Sequence, residues 1–453
     1  MNRNILATAL VAVCSYSNAA ETIQVGVFDV DASPPVGSPM AYDPVKAVTT
    51  PLRCTGIVIT GDEKPIVMCA VDWIGIGNDG QAIFKERLAA AAETDPDRVA
   101  VHTLHQHDAP RCDFSADHLL AEHELSGVGF DPGFSRDVIS RTATAVGKAI
   151  QNAQPVTHIG VGQGRVEMVA SNRRILGDDG KVLHTRFTAT RDPNVRAFPA
   201  GTIDSQMKLI SLWHGDKPIV AITWYATHPQ SYYRTGLANP DFPGMARNAR
   251  QAETGVPHIH FNGAGGNIGA GKWNDGAKAN RQVLADRVAA GMKRAWDNIE
   301  RSPVGSGDLA WTTVPVALPA ASHLQEASLL ERLQDTKLKP QDRFAAATNL
   351  AWLRRCAAGD TISVACLRLG RTRVLHLPGE LFIEYQINAQ KLRPDLFVAM
   401  AAYGDYGPGY IGTEVAYRQG GYETSPRASR VAPQVEGVLM KAISRLLDAE
   451  QLE

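Results

Sequence analysis

The chain has 453 residues, 44% of them hydrophobic and 21% charged, the composition of an ordinary soluble globular protein. A formal net charge of −1 gives no electrostatic reason for a nucleic acid or an anionic membrane as partner. Beyond the N-terminus no apolar run approaches the ~20 residues that cross a bilayer, so no transmembrane segment is expected.

The first twenty residues, MNRNILATALVAVCSYSNAA, place one early Arg before an apolar stretch and then small and polar residues. That is the pattern of a secretory signal peptide cut near Ala19 or Ala20, so the mature 21–453 chain is expected to be secreted or periplasmic. Export makes the five remaining cysteines worth pairing. Cys54 and Cys69 flank a hairpin that turns at Gly61, Asp62 and Glu63 and would lie roughly opposite each other. Cys356 and Cys366 could close a second loop, leaving Cys112 alone, although sequence proves no pairing.

From there, apolar runs of strand length alternate with segments of helical period. TIQVGVF, CTGIVIT, PIVMCAV, RVAVHTL, MKLISLW, PIVAITWYA, HIHFN, RTRVLHL and LFVAMAAY read as strands. GQAIFKERLAAAAE, SRDVISRTATAVGKAI, RQVLADRVAAGMKRAWDNI, QEASLLERLQDT and VEGVLMKAISRLLDA read as helices. The expected fold is α/β or mixed α+β: a large twisted mixed β-sheet flanked by helices in a single catalytic domain. Residues 322–355 are a candidate helical insertion, and no repeat of fixed period is visible.

Four stretches carry chemistry. VHTLHQHDAP ends an apolar run with His105 and His107, which share a face if the strand continues. AITWYATHPQ runs a strand into His228, with Pro229 ending it. RTRVLHLPGELF turns at Pro378 and Gly379 and reads as opening a helix at Glu380, whose carboxylate would face the helix dipole. AAYGDYGPGYIGTEVAYRQGGYE is dense in glycine and carries Tyr403, Tyr406, Tyr410, Tyr417 and Tyr422. Two histidines, a carboxylate and a phenolate make a four-ligand zinc site, which would acidify a bound water and polarise a carbonyl.

These stretches, in this order, resemble the N-terminal catalytic domain of the neutral ceramidase family, and more closely its shorter bacterial relatives. HQHDAP stands where the family has HTHSGP, Ala226 to Pro229 matches its ATHP, and Pro378-Gly379-Glu380 its PGE. Tyr410 and Tyr422, twelve apart, match its YITT and following YE, and Asn172-Arg173 its NR. VDASPPVGSPM is similar to the opening DITPPVG of the shorter relatives, and the resemblance runs from about Val25 to Gly421.

The resemblance implies one Zn2+ per chain, held by His105, His228, Glu380 and Tyr410, with His107, Arg173 and Tyr422 lining the reacting carbonyl. It implies hydrolysis of an amide in a small-molecule or lipid-like N-acyl substrate, ceramide in the family's sphingolipid metabolism, by a zinc-activated water. The roles of His105 and His107 are interchangeable on spacing alone.

Gly266-Asn267-Ile268-Gly269 replaces the family's Gly-Asp-x-Ser, so no serine nucleophile is expected there. No C-terminal immunoglobulin-like domain of the family's kind is expected after Glu453, and Asp108 replaces a Ser, an added carboxylate at the expected mouth. A zinc esterase or carbohydrate-active enzyme on this scaffold, a non-catalytic secreted binding protein, and an amidohydrolase-type barrel drawing on His258 and His260 are the competing readings. The oligomeric state is not legible.

Overall fold

The computed structural model describes residues 22–61 and 63–449. The expected signal peptide, 1–20, lies outside the described residues, as does Asp62 of the expected hairpin turn. All nine expected strands and five expected helices form, in a mixed α+β molecule. Among the described residues, no helix is long and apolar enough to cross a membrane.

Strand period shows directly in the burial. Along Ile66–Val71, Ile66, Met68 and Ala70 join one apolar cluster, whereas Val67, Cys69 and Val71 join another on the opposite face. A strand covered on both faces reads as a continuous apolar run, which is why PIVMCAV lacks polar alternation.

Three mixed sheets share the long strands. The first orders Val99–Thr103, Ile66–Val71, Arg53–Thr60 and Gln24–Asp31, with Gln154–Pro155 at the far edge. The second orders His258–Asn262, Lys217–Tyr225, Gln206–His214, His158–Arg165 and Glu300–Pro303. The third orders Phe397–Ala401, Thr372–His376, Ile362–Leu369 and Leu309–Val316.

All three follow one plan. Three antiparallel strands are followed by a crossover carrying a helix, Asp79–Ala92, Asp241–Thr254 or Ile383–Leu392, and a last strand returns parallel to the third. The chain thus holds a threefold repeat of topology. No sequence period betrays it, because the crossovers differ in length and composition.

The inner faces meet in one core. Ile57, Ile59 and Met68 of the first sheet pack with Ile210, Ile222 and Trp224 of the second and Leu367, Val374 and Ala399 of the third. Helices cover the outer faces: Asp241–Thr254 and Asn280–Asp297 on the second sheet, Asp79–Ala92 and Pro132–Gln151 on the first. The three returning strands form the seam between sheets. Thr103 N donates to Tyr403 O at 2.9 Å, Ala402 N to Asn262 O at 3.0 Å, and Asn262 Nδ2 to Leu104 O at 2.6 Å. Their carboxyl ends converge, the place where sheets with parallel strands build sites.

The candidate insertion forms two helices, Glu326–Gln334 and Pro340–Ala357, which pack on each other, the second also lying against Phe114–Ala121. Cys54 and Cys69 lie diagonally, because Gly56 is the direct partner of Cys69. Their sulfurs approach to 3.4 Å without a bond, and Cys112, Cys356 and Cys366 are also free thiols.

Candidate active site

His105 and His107 converge by a route other than shared strand phase. The strand stops at Thr103, and His105 takes a left-handed conformation, φ 59°, that His tolerates better than most residues. Its backbone N–H donates to Trp73 O at 2.9 Å, and its Nδ1 lies 2.6 Å from Ile74 O. That carbonyl can only accept, so Nδ1 carries a proton and Nε2 is the ring nitrogen that faces inward. Tyr403 sits two residues beyond its own returning strand, as His105 does, with φ 60°, and their rings stack at 4.8 Å.

Glu380 departs from the expected helix start. It lies in a short strand, Glu380–Leu381, pairing parallel with Tyr410–Ile411, and the helix begins at Ile383. The pairing sets Glu380 directly beside Tyr410. Gly266 crosses behind them, where an added Cβ would lie 2.3 Å from Glu380 O, so only glycine fits.

His105, His107, His228 and Glu380 meet in a buried cluster. Glu380 Oε2 lies 3.3 Å from His105 Nε2 and 3.4 Å from His228 Nδ1, while Tyr406 donates to Oε1 at 2.5 Å. His107 Nε2 is 2.9 Å from His228 Nε2, and its Nδ1 is 3.0 Å from the Tyr42 hydroxyl. The ligand atoms of His105, His107 and His228 lie within 4.8 Å of one another, a group able to hold a metal ion. Burial, then the neighbouring His105 and Arg173 among other charges, holds His107 and His228 well below the usual imidazole range, so both are neutral and free to coordinate.

Arg173 brings the last members together. Its Nη1 donates to the Tyr410 hydroxyl at 3.0 Å, and its Nε lies 3.2 Å from Glu423. Burial disfavours its charge, but Tyr410 and Glu423 more than offset that and hold the guanidinium firmly protonated. Burial also pushes the Tyr410 phenol well above its ordinary value, with Arg173 opposing. Tyr422 is half-buried, its ring 5.8 Å from that of Tyr410. Together with His105, His107, Glu380 and Tyr410, it lines a pocket of about 280 Å³.

Two further expectations need correction. Asp108 does not face a mouth: it is buried, accepting from Thr235 Oγ1 at 2.9 Å and pairing with Arg281 at 3.4 Å. His258 and His260 lie inside a strand outside the cluster, and no eight-stranded barrel is present among the described residues. Gly269, where the resemblance places a serine, pairs with Ser171 beside Arg173, and a Cβ there would lie 3.5 Å from the Arg173 side chain. Tyr42 and Glu423 were not singled out from sequence, and Tyr403 and Tyr406 were named there without a role. Glu423, the acid of the YE pair, lay within a quoted motif, whereas Tyr42 lay in none.

The fold and the cluster together define a class: an α+β protein with a histidine–carboxylate site at the converging ends of parallel strands. No family model matches the sequence, and no curated protein matches it. Solved structures do share its fold. One is a ceramidase complexed with C2, 15% identical, with a TM-score of 0.67 over 95% of this chain and 75% of that one. Another is neutral ceramidase from Pseudomonas aeruginosa, 16% identical, with the same TM-score and coverage. The chain is built on the neutral ceramidase fold, as the motif resemblance implies.

Proposed function

We propose that the chain is a zinc-dependent hydrolase that cleaves the amide bond of an N-acyl substrate. One Zn2+ per chain is held by His105, His228, Glu380 and Tyr410, and no serine nucleophile takes part. The observation that carries the reading is the pair of distances at Glu380 Oε2. A tetrahedral ion with bonds of ~2.0–2.1 Å sets its ligands about 3.3 Å apart. The 3.3 and 3.4 Å separations match two edges of such a tetrahedron. Glu380 Oε2 and His228 Nδ1 are moreover buried without a hydrogen-bond partner, a cost that a cation would relieve.

Bound there, the ion supplies Lewis acidity, polarising a carbonyl and making water acidic enough to lose a proton near neutral pH. The chain's own groups do the rest. With Nδ1 turned to the cluster, His228 donates its Nε2 proton to His107 Nε2, and His107 passes its Nδ1–H to the Tyr42 oxygen. This chain of hydrogen bonds fixes the His228 tautomer. Tyr406 orients Glu380 through the other carboxylate oxygen. Arg173, permanently charged, holds the Tyr410 hydroxyl and, with Tyr422 at the pocket wall, supplies donors toward an oxyanion developing at the carbonyl, while His107 lines the same wall and holds His228 in place.

The test is hydrolysis of a fluorogenic N-acylsphingosine and of short N-acyl amides by the mature protein, before and after chelation and zinc replacement. Zinc-restorable amide cleavage supports the reading. Cleavage of esters without amides would replace it with an esterase on the same scaffold. We also infer export, with residues 1–20 removed, and N-terminal sequencing of the expressed protein checks the cut.

A further inference from the structure

The pocket beside the cluster has a marked charge imbalance. Arg111, Arg427 and Arg430 line it, against two carboxylates, Glu380 of the cluster and Asp113. Glu380 accepts from Tyr406 through Oε1 and turns Oε2 to the cluster. Asp113 is spent on local structure, accepting from Asn78 Nδ2 at 2.8 Å and from Ala116 N at 3.0 Å, and burial pushes its pKa up to about 7.

The guanidinium groups are not neutralised in the same way. Arg430 donates to Asn349 Oδ1 and to backbone carbonyls of Tyr406 and Gly407, neutral acceptors that fix its position and leave its charge. Arg111 donates from Nη2 to Ala41 O at 2.6 Å, while its buried Nε has no acceptor. Arg427 stands exposed at the rim, with no carboxylate paired to it among the described residues. Thr348, on the Pro340–Ala357 helix, presents a buried hydroxyl without a partner at the same wall. A buried guanidinium Nε can only donate, so this wall lacks an acceptor and carries surplus positive charge.

We propose that this pocket receives an anionic group, so that the substrate is a compact N-acyl compound bearing a carboxylate or similar anion outside the scissile bond. The proposal rests on the hydrolase reading for the reacting carbonyl and adds the chemistry that selects the substrate. The size agrees. About 280 Å³ is at the small end of ligand pockets, and suits a short acyl chain with a polar end better than a two-chain lipid. The Pro340–Ala357 helix, which brings Phe344 and Thr348 to the wall, makes the candidate insertion the element that shapes specificity. Planar guanidinium groups favour carboxylate through paired hydrogen bonds, which Arg111 can supply from Nε.

Calorimetric titration of the zinc-loaded protein and of the chelated protein tests this separately from turnover. The ligands are N-hexanoylglycine and adipic acid monoamide, which carry the anion on the amine half and the acyl half, and their uncharged counterparts N-hexanoylglycinamide and adipamide. At least one anion should bind about 10-fold more tightly than its neutral counterpart, with or without zinc, about 1.4 kcal/mol. Arg427→Glu, at an exposed position with no structural partner, should cut that preference at least about 5-fold. Equal binding of anion and amide, no measurable binding of any of the four, a preference present only with zinc, or one unmoved by Arg427→Glu would overturn the proposal. Hydrolysis measured in parallel bears on the amidase reading alone.

Discussion

At the scale of single residues, each proposed ligand is oriented by a neighbour outside the proposed ligand set. His105 is oriented by Ile74 O, His228 by His107, and Glu380 by Tyr406. Two outcomes follow. His228→Ala should abolish zinc retention on gel filtration while far-UV circular dichroism stays native. Full zinc occupancy in that variant would remove His228 from the site. Tyr406→Phe keeps the ring but deletes the donor to Glu380 Oε1. Loss of such an outer partner typically weakens metal binding 10–100-fold, which competition with a chromogenic chelator measures; unchanged affinity would mean that Tyr406 does not orient the carboxylate. The residues of the cluster were legible, because a histidine or acid at a strand end or a Pro-Gly corner is visible locally. Tyr42 and Tyr406 were not. A phenol reaching a carboxylate 26 residues earlier leaves no periodic trace, since side-chain period assigns a residue to a face and never to a partner.

At the scale of elements, the same limit explains Glu380. Pro378-Gly379 marks the corner correctly, but whether the next residues start a helix or pair as a strand depends on the distant Tyr410–Ile411 segment. The strand pairing leaves a distinct signature at the loop behind it. Gly266→Ala must push a Cβ into Glu380 O, so it should cost roughly 1–3 kcal/mol, as overpacking does, and lower zinc occupancy with it. Gly269→Ala meets Arg173 only at 3.5 Å and should change thermal stability far less. Equal melting temperatures for the two variants would contradict this backbone arrangement. A second tie is the buried pair of Asp72 and Arg247, at 2.7 and 2.8 Å, which fastens the end of Ile66–Val71 to the Asp241–Thr254 helix. Removing only the guanidinium in Arg247→Met strands a buried carboxylate and should destabilise by about 3–5 kcal/mol in urea unfolding.

At the scale of the whole molecule, three sheets packed on one core bury imidazoles outside the cluster, and the number of such groups decides how the fold meets acid. His102 lies 3.0 Å from His376 across the seam between the first and third sheets, while His258 and His260 lie in the returning strand of the second. Burial lowers His102 and His258 to about 4 and His260 to about 3, and holds His376 well below the usual range. Two buried carboxylates shift the other way, Asp113 to about 7 and Asp241 upward, both through burial. For each imidazole, the folded value is depressed below the unfolded ~6.5. Its contribution is complete above pH ~6.5 and is lost as pH falls toward 4, because only the unfolded chain takes up the proton. For Asp113 the folded value is raised above the unfolded ~3.9, so its contribution is present at low pH and lost as pH rises toward 7. Four imidazoles outweigh two carboxylates, and stability should fall between pH 6.5 and 4 by about 1.4 kcal/mol per pH unit for each net proton. The decline should persist with chelator present, because these four histidines are not in the cluster. It should be shallower by one proton in His102→Gln, which keeps a donor for Ala402 O. Urea unfolding across that range measures both slopes; a flat profile from pH 7 to 4 would show that the buried imidazoles protonate in the folded chain as readily as in the unfolded one.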